Sequence, residues 1–323
     1  MSRGRAPVVV AVDGAAAALH AVEWASAEAA TTGRPLRIVH AFRPPPPADP
    51  CGTGLPAADP DTARAAAAAI LREAAERARA VASDIPITTR ARHAGRVRGV
   101  LDEARGAHLL VLGRRSRTGL RRVLHRSLSA QVTARAPGPV VVVRPPADAH
   151  APERSVPRVV VGIGPTPDDG AIRYAFAAAR QRGVPLMTVH AWTPDRAADL
   201  EGVSGTAVLA EEHARWTLEN ALGHRCAEFP DVPVHAVLAR GEPAPMLQAR
   251  SRGAALLVVG AGDRGLRGTA PGAVARALLP RSPCPLMIVQ AAPVGPASRP
   301  GAGPWRGSRS AWWTGLRAPD PWP

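Results

Sequence analysis

The chain says one thing twice. Val8-Val9-Val10-Ala11-Val12-Asp13-Gly14 returns as Val159-Val160-Val161-Gly162-Ile163-Gly164-Pro165, and Val39-His40-Ala41-Phe42 returns as Val189-His190-Ala191-Trp192. Leu109-Leu110-Val111-Leu112-Gly113 returns as Leu256-Leu257-Val258-Val259-Gly260, and Pro139 to Val143 returns as Pro285 to Val289. The offsets run 151, 150, 147 and 146 residues. A steady offset with slow drift means one duplicated unit whose second copy has lost a few loop residues. A unit of about 140 residues is an ordinary domain size, large enough for a core of its own. The fold question is therefore about one unit, and the functional question is about how the copies differ.

The expected domains are 1–146 and 154–292, followed by a Pro/Arg/Trp-rich tail at 293–323. The tail is expected to be a disordered extension. Its alternative reading is a strip of Arg and Trp suited to an anionic surface, either a phosphate backbone with stacked bases or a lipid headgroup layer. Cys51, Cys226 and Cys284 are scattered, with neither metal-ligand spacing nor an even disulfide framework, which suits a reducing cytoplasm. The run Val8 to Val12 is too short for a signal-peptide core. No stretch reaches the roughly 18 apolar residues needed to span a bilayer. A soluble, cytoplasmic protein is expected.

Within a unit, short apolar runs alternate with alanine-rich amphipathic stretches. Val8–Val12, Leu36–His40, Ile85–Ala91, His108–Leu112 and Val140–Val143 read as strands. Ala15–Thr32 (stopped by Gly33), Thr62–Ala82, Arg96–Arg105 and Ser127–Arg135 read as helices. Fully apolar strands belong to a sheet buried on both faces. This alternation gives a five-stranded parallel sheet with helices on both faces and right-handed crossovers. Ligands bind such sheets beyond the carboxyl ends of strands, where strand order reverses. The segments there are Asp13-Gly14, Ala41 and the loop from Gly113.

That loop, Gly113 to Ser127, carries six arginines and runs into a helix start. Free N–H groups and a positive dipole end suit an anion, Ser127 can cap or bind phosphate, and guanidinium groups grip phosphate bidentately. The plainer reading is an ordinary strand–loop–helix with solvated arginines. Asp13 likewise has two readings, helix cap or ligand contact.

Asp13-Gly14 after strand one, His40-Ala41 after strand two, Gly113 and Ser127 around the loop, and Arg135-Ala136-Pro137-Gly138-Pro139-Val140 before the last strand resemble the universal stress protein domain. In the second copy, Ser282-Pro283-Cys284-Pro285-Leu286 is closer still to the last element, and Arg240-Gly241-Glu242-Pro243-Ala244 resembles the family's turn after strand three. The resemblance covers about residues 5–145 and 156–291. It implies two tandem Rossmann-like domains of the adenine nucleotide alpha hydrolase-like kind, with ATP as ligand in some members. Carried over, adenosine would lie near Val12, Asp13 and Ala41. Phosphate would lie along Gly113, Ser116, Arg126 and Ser127. Ser116 and Arg126 stand where the family has glycine: Ser116 is costly if its position needs a positive φ, and the Arg126 Cβ would obstruct close backbone approach, although its guanidinium could replace that contact.

Copy two departs further. Gly164 and Pro165 replace Asp13-Gly14, Ala273 replaces Ser127, and the loop from Gly260 to Gly272 is one residue shorter. ATP is therefore expected in the first domain only. The last strands, Val140–Val143 and Leu286–Val289, would pair the domains as an intramolecular pseudo-dimer and protect two edges; a further homodimer is a second expectation.

Catalysis is not expected. There is no Ser-His-Asp set, paired carboxylate, adenylating motif or metal spacing, and His40 and His190 read as packed strand-end residues. One alternative function is a scaffold that binds no nucleotide, and charge supplies the other. Residues 1–150 carry 22 Arg against 12 acids, while 151–292 carry 15 against 13. A basic first unit suits nucleic acid or another polyanion, and such binding would fall steeply with salt.

Overall fold

The computed structural model describes residues 5–43, 60–114, 128–145, 157–193, 204–262 and 272–290. Ser116, Arg126, Ser127 and the tail from 293 lie outside the described residues. The chain divides into two compact units between Ala147 and Asp148.

Unit one runs β1 (Val8–Ala11), α1 (Ala16–Thr32), β2 (Leu36–Phe42), α2 (Pro60–Val81), β3 (Ile87–His93), α3 (Arg96–Ala104), β4 (Leu109–Gly113), α4 (Leu128–Arg135) and β5 (Val140–Val143). Unit two repeats it as β6 (Val159–Ile163), α5 (Asp169–Arg182), β7 (Leu186–Trp192), α6 (Ser204–Glu228), β8 (Val234–Arg240), α7 (Pro243–Arg250), β9 (Leu256–Gly260), α8 (Ala273–Leu278) and β10 (Leu286–Val289).

Within unit one the strand order is β3-β2-β1-β4-β5, and within unit two it is β8-β7-β6-β9-β10, the same permutation. All pairings within each unit are parallel. Val8, Val9, Val10 and Leu109 to Leu112 are buried, as strands covered on both faces require. Adjacent residues of β2 face opposite helices: Ala41 lies under Gly99 of α3, while Phe42 lies with α2. Helices thus cover both faces of the sheet.

The expected elements are present with shifted ends. β1 stops at Ala11 rather than Val12, and β3 spans Ile87–His93 rather than Ile85–Ala91. The proline at 86 removes a ladder donor there. Gly33 ends α1 in the left-handed region at φ 60°, and its counterpart Gly183 ends α5 at φ 62°. Each places its own N–H and the next residue's on the last helical carbonyls, as at Arg34 N to Ala29 O, 2.9 Å.

His108 enters β4 at the end of the sheet remote from the strand carboxyl ends, its N–H donating to Pro7 O at 2.8 Å. Burial, and then the nearby Arg34 charge, push its imidazole down to about 4. An unfolded histidine titrates near ~6.5. Between these values the unfolded chain holds a proton that the folded one refuses. Stability is therefore full above about pH 6.5 and falls as pH drops towards 4. Relative to His108→Gln, the wild type should lose about 2 kcal/mol between pH 7 and 4.5. Urea unfolding read by amide exchange in unit one checks this; identical pH profiles for the two proteins would refute it.

Candidate functional site

Strand order reverses in unit one between β1 and β4, opening a crevice at their carboxyl ends. Ala11 is level with Val39 on one side and Leu112 on the other, so Val12, His40 and Gly113 form the next row. Val12 is buried and its N–H donates to Val39 O at 2.8 Å. Its carbonyl accepts a hydrogen bond from His40 Nδ1, also 2.8 Å, so Nδ1 carries the proton. Unit two repeats this bond from His190 to Ile163 O at 2.8 Å. Both histidines are thus hydrogen-bonded strand-end residues.

Asp13 follows, exposed at the crevice mouth. Its Oδ1 accepts from the Ala15 N–H at 3.1 Å, closing an Asx turn that aims the chain into α1. Gly14 completes the turn at φ 77°, where a side chain would be strained. The N-cap of α1 is Ala15, which makes no side-chain cap, and the first helical turn holds no acid. Asp13 therefore shapes the approach to α1 and is not its N-cap. No side chain caps the first turn of α1 and none of its own residues there is acidic, so the carboxylate nearest the positive end of its dipole is that of Asp13, on the N-cap amide.

Gly113 ends β4 against α1. A Cβ there would lie 2.3 Å from Ala17 O and 2.9 Å from Ala18 Cα. Packing alone thus accounts for the glycine. Arg114 continues the strand by donating its N–H to Val143 O at 2.9 Å, and its Nη1 reaches Ser129 Oγ on α4 at 3.4 Å. Arg144, at the end of β5, is held below the ordinary arginine range by burial. Ala41 is buried on β2, one strand away from the reversal point. Among the candidates within the described residues, Val12, Asp13 and Gly113 therefore stand at the strand-order reversal, while Ala41 lies one strand away, packed under Gly99 of α3.

The second unit's crevice is different. Asp168 caps α5, its Oδ1 accepting from Ala171 N at 3.0 Å, and Asp169 follows in the first turn. A Cβ on Gly260 would lie 2.8 Å from Asp168 Oδ2. A carboxylate thus already occupies the helix start beside the strand-end glycine. Asp169 is held below the usual carboxylate range by hydrogen bonds and charge from Arg225, against the opposing effect of burial. Sequence reading found the loss at Gly164 and Ala273 but missed this gain. An aspartate three residues ahead of the first buried helical alanine, Ala171, was the available signal.

The described residues offer little reactive chemistry. Burial raises the Cys226 thiol to about 11 and the Cys284 thiol to about 12, so neither is a thiolate at neutral pH. No group of three or more His, Cys, Asp and Glu that could hold a metal lies among the described residues. No helix among them is long and apolar enough to cross a membrane.

The repeated parallel units, with their strand-order reversal and His-to-carbonyl clasp, define a tandem α/β protein of nucleotide-fold type. The sequence model of the universal stress protein family matches residues 5–144 and again 156–290. This chain belongs to that family and carries its domain twice. A universal stress protein of Mycolicibacterium smegmatis is 30% identical over 292 residues, covering 88% of this chain and 96% of the relative. One of Mycobacterium tuberculosis is 32% identical over 293 residues with the same coverage. The crystal structure of a universal stress protein from Archaeoglobus fulgidus is similar in fold, with TM-score 0.62 over 88% of this chain and 98% of its own, at 18% identity.

Proposed function

We propose that this protein is a cytoplasmic, non-catalytic stress-response module whose first unit takes an adenine nucleotide, ATP, in the β1–β4 crevice. One observation carries the reading: α1 presents a helix start with no carboxylate cap, whereas α5 starts with Asp168 and Asp169 and lays Asp168 against Gly260. An anion is drawn to the first and repelled by the second. The residues fit the ligand. Exposed Asp13 suits ribose hydroxyls or an adenine amino group, the bare amides of α1 suit phosphate, and Arg114 and Arg144 add positive charge nearby. Ser127 supplies a phosphate-directed hydroxyl on this reading, with Ser116 and Arg126 in the same loop.

Titration of the full chain with ATP tests the proposal. Asp13→Ala and Ser127→Ala should each weaken binding about tenfold or more, the usual worth of a hydrogen bond involving a charged group. Gly164→Ala and Ala273→Ser should change nothing. Equal losses from both sets, or a protein that ignores ATP, would overturn it.

A further inference from the structure

A cavity of about 480 Å³ lies in unit one between α2 and the edge strand β3, on the far side of Phe42, whose ring stacks on that of His40 at 5.7 Å. That volume falls in the range of small-molecule pockets, roughly 300–1,000 Å³. One wall is a single face of α2 carrying Arg64, Arg72 and Arg79. These positions repeat at near-helical spacing, and about 1.5 Å of rise per residue spreads them over roughly 22 Å of helix. The other wall is the α2-facing side of β3, with Thr89 and His93 at alternate positions. Phe42 closes one end, its ring 4.7 Å from that of His93.

The charges here are unequal in their attachments. Arg64 pairs with Asp61, both well exposed. Arg72 and Arg79 have no ion pair or hydrogen bond among the described residues. On the opposite face of the same sheet, Arg37 and Arg92 share the buried carboxylate of Glu103. Arg37 and Arg92 are therefore held by a carboxylate of the fold, whereas Arg72 and Arg79 face the cavity without one.

The duplicate provides an internal control. The link from α2 to β3, Ala82 to Pro86, has the same length as that from α6 to β8, Phe229 to Pro233. The helix and strand can therefore be matched without a gap, and Phe42 and His93 match Trp192 and Arg240 through the strand registers. On this match Arg64 becomes Glu211, Arg72 becomes Glu219 and Arg79 becomes Cys226. The small side chains that leave room are replaced as well: Ala75 becomes Leu222 and Ala91 becomes Leu238. Glu211 then pairs with Arg215, which stands where unit one has Ala68. The shared fold needs neither the space nor the cations, since unit two builds the same helix–strand pair without them.

We propose that the α2–β3 cavity of unit one is a binding site for a small polyanion of the oligophosphate class, separate from the β1–β4 crevice. Arg72 and Arg79 grip separate phosphate groups, Arg64 adds charge at the far end, and Thr89 and His93 donate hydrogen bonds from β3. A monophosphate reaches one arginine; a chain of three phosphates spans two.

Calorimetric titration of the full chain with inorganic tripolyphosphate, at about 0.15 M salt where exposed charges are well screened, tests the site. The wild type should bind saturably, one per chain, and at least tenfold more tightly than inorganic monophosphate. Arg72→Glu with Arg79→Ala should weaken binding at least tenfold. Arg96→Ala with Arg98→Ala removes two exposed arginines outside the cavity and should leave affinity within twofold. Ala91→Leu fills the cavity without touching charge and should weaken binding several-fold, with melting curves confirming that each variant is folded. Ser127→Ala, which removes the hydroxyl assigned to phosphate in the crevice, should leave tripolyphosphate affinity within twofold, so failure of the crevice reading and failure of this one are distinguishable. Unsaturable binding, no wild-type binding, equal losses from the two arginine pairs, or an indifferent Ala91→Leu would each overturn the proposal.

Discussion

Gly113→Ala should destabilise unit one by about 3 kcal/mol or more and abolish nucleotide binding with it. The added methyl would meet backbone: Ala17 O at 2.3 Å, Ala17 C at 2.7 Å and Ala18 Cα at 2.9 Å. No rotamer change relieves a clash with a helix backbone, so α1 must move off the sheet. Overpacking in a dense core costs about 1–3 kcal/mol, and a rigid obstacle puts this case at the upper end or beyond. The turn that orients Asp13 opens the same helix, so the crevice shifts too. Gly260→Ala should cost less but not little. Its methyl meets Asp168 Oδ2 at 2.8 Å, which can rotate only by giving up the α5 cap, and Asp168 Cβ at 2.9 Å, which moves only with its backbone. No contact there is as short as the 2.3 Å at Gly113. Gly138→Ala, with nothing within 4 Å and an ordinary backbone, should be nearly neutral. Hydrogen exchange at β1 and β4 amides ranks the three, because it reads each unit separately. A near-neutral Gly113→Ala would show that α1 does not press on the strand end. Lost nucleotide binding in this variant would then implicate the ligand directly.

The ease of reading this fold from its sequence has a physical basis. Strands such as Val8–Ala11 and Val140–Val143 are buried on both faces, so they are written as unbroken apolar runs. Gly33 and Gly183 sit where only glycine turns cheaply, so the helix ends were legible. The site was legible only in part. Asp13 and Gly113 could be placed at the mouth of the candidate crevice because strand ends are predictable. Their roles were less so: Asp13 makes a turn rather than a cap, and the glycine at 113 answers to Ala17, a residue 96 positions away in sequence. Distances of that kind are set by packing, not by local pattern. The α2–β3 cavity was invisible for the same reason. Alternation on β3 and periodicity on α2 are each readable, but which arginines share a wall depends on how the helix is rolled against the sheet. Outward-facing arginines on α2 were expected, and the fold decides which of them meet β3.

Glu103→Ala should cost unit one about 2 kcal/mol, less than the loss from a fully buried pair because water reaches both arginines it leaves behind. The carboxylate is 3% exposed and holds two arginines at once: Arg37 Nη1 on one oxygen at 3.1 Å and Arg92 on the other. Arg37 is the vulnerable partner. It projects from the interior of the sheet towards α3, and its Nε is already buried without a hydrogen bond. Without Glu103 it is left an uncompensated cation, 32% exposed, beside a second one. Arg92→Ala is the informative contrast. Arg92 is 50% exposed, so its loss costs at most about 1 kcal/mol, because water readily hydrates such a side chain and Glu103 keeps Arg37. Double substitution of Glu103 and Arg37 by Ala and Leu should recover much of the loss, since removing both charges is far cheaper than stranding one. Urea midpoints and unit-one amide exchange measure all three variants. If Glu103→Ala and Arg92→Ala cost the same small amount, the triad is solvated. The charges of Arg37 and Arg92 would then be a surface property like those of Arg72 and Arg79, rather than ones that Glu103 holds to the fold while the α2 arginines stay available.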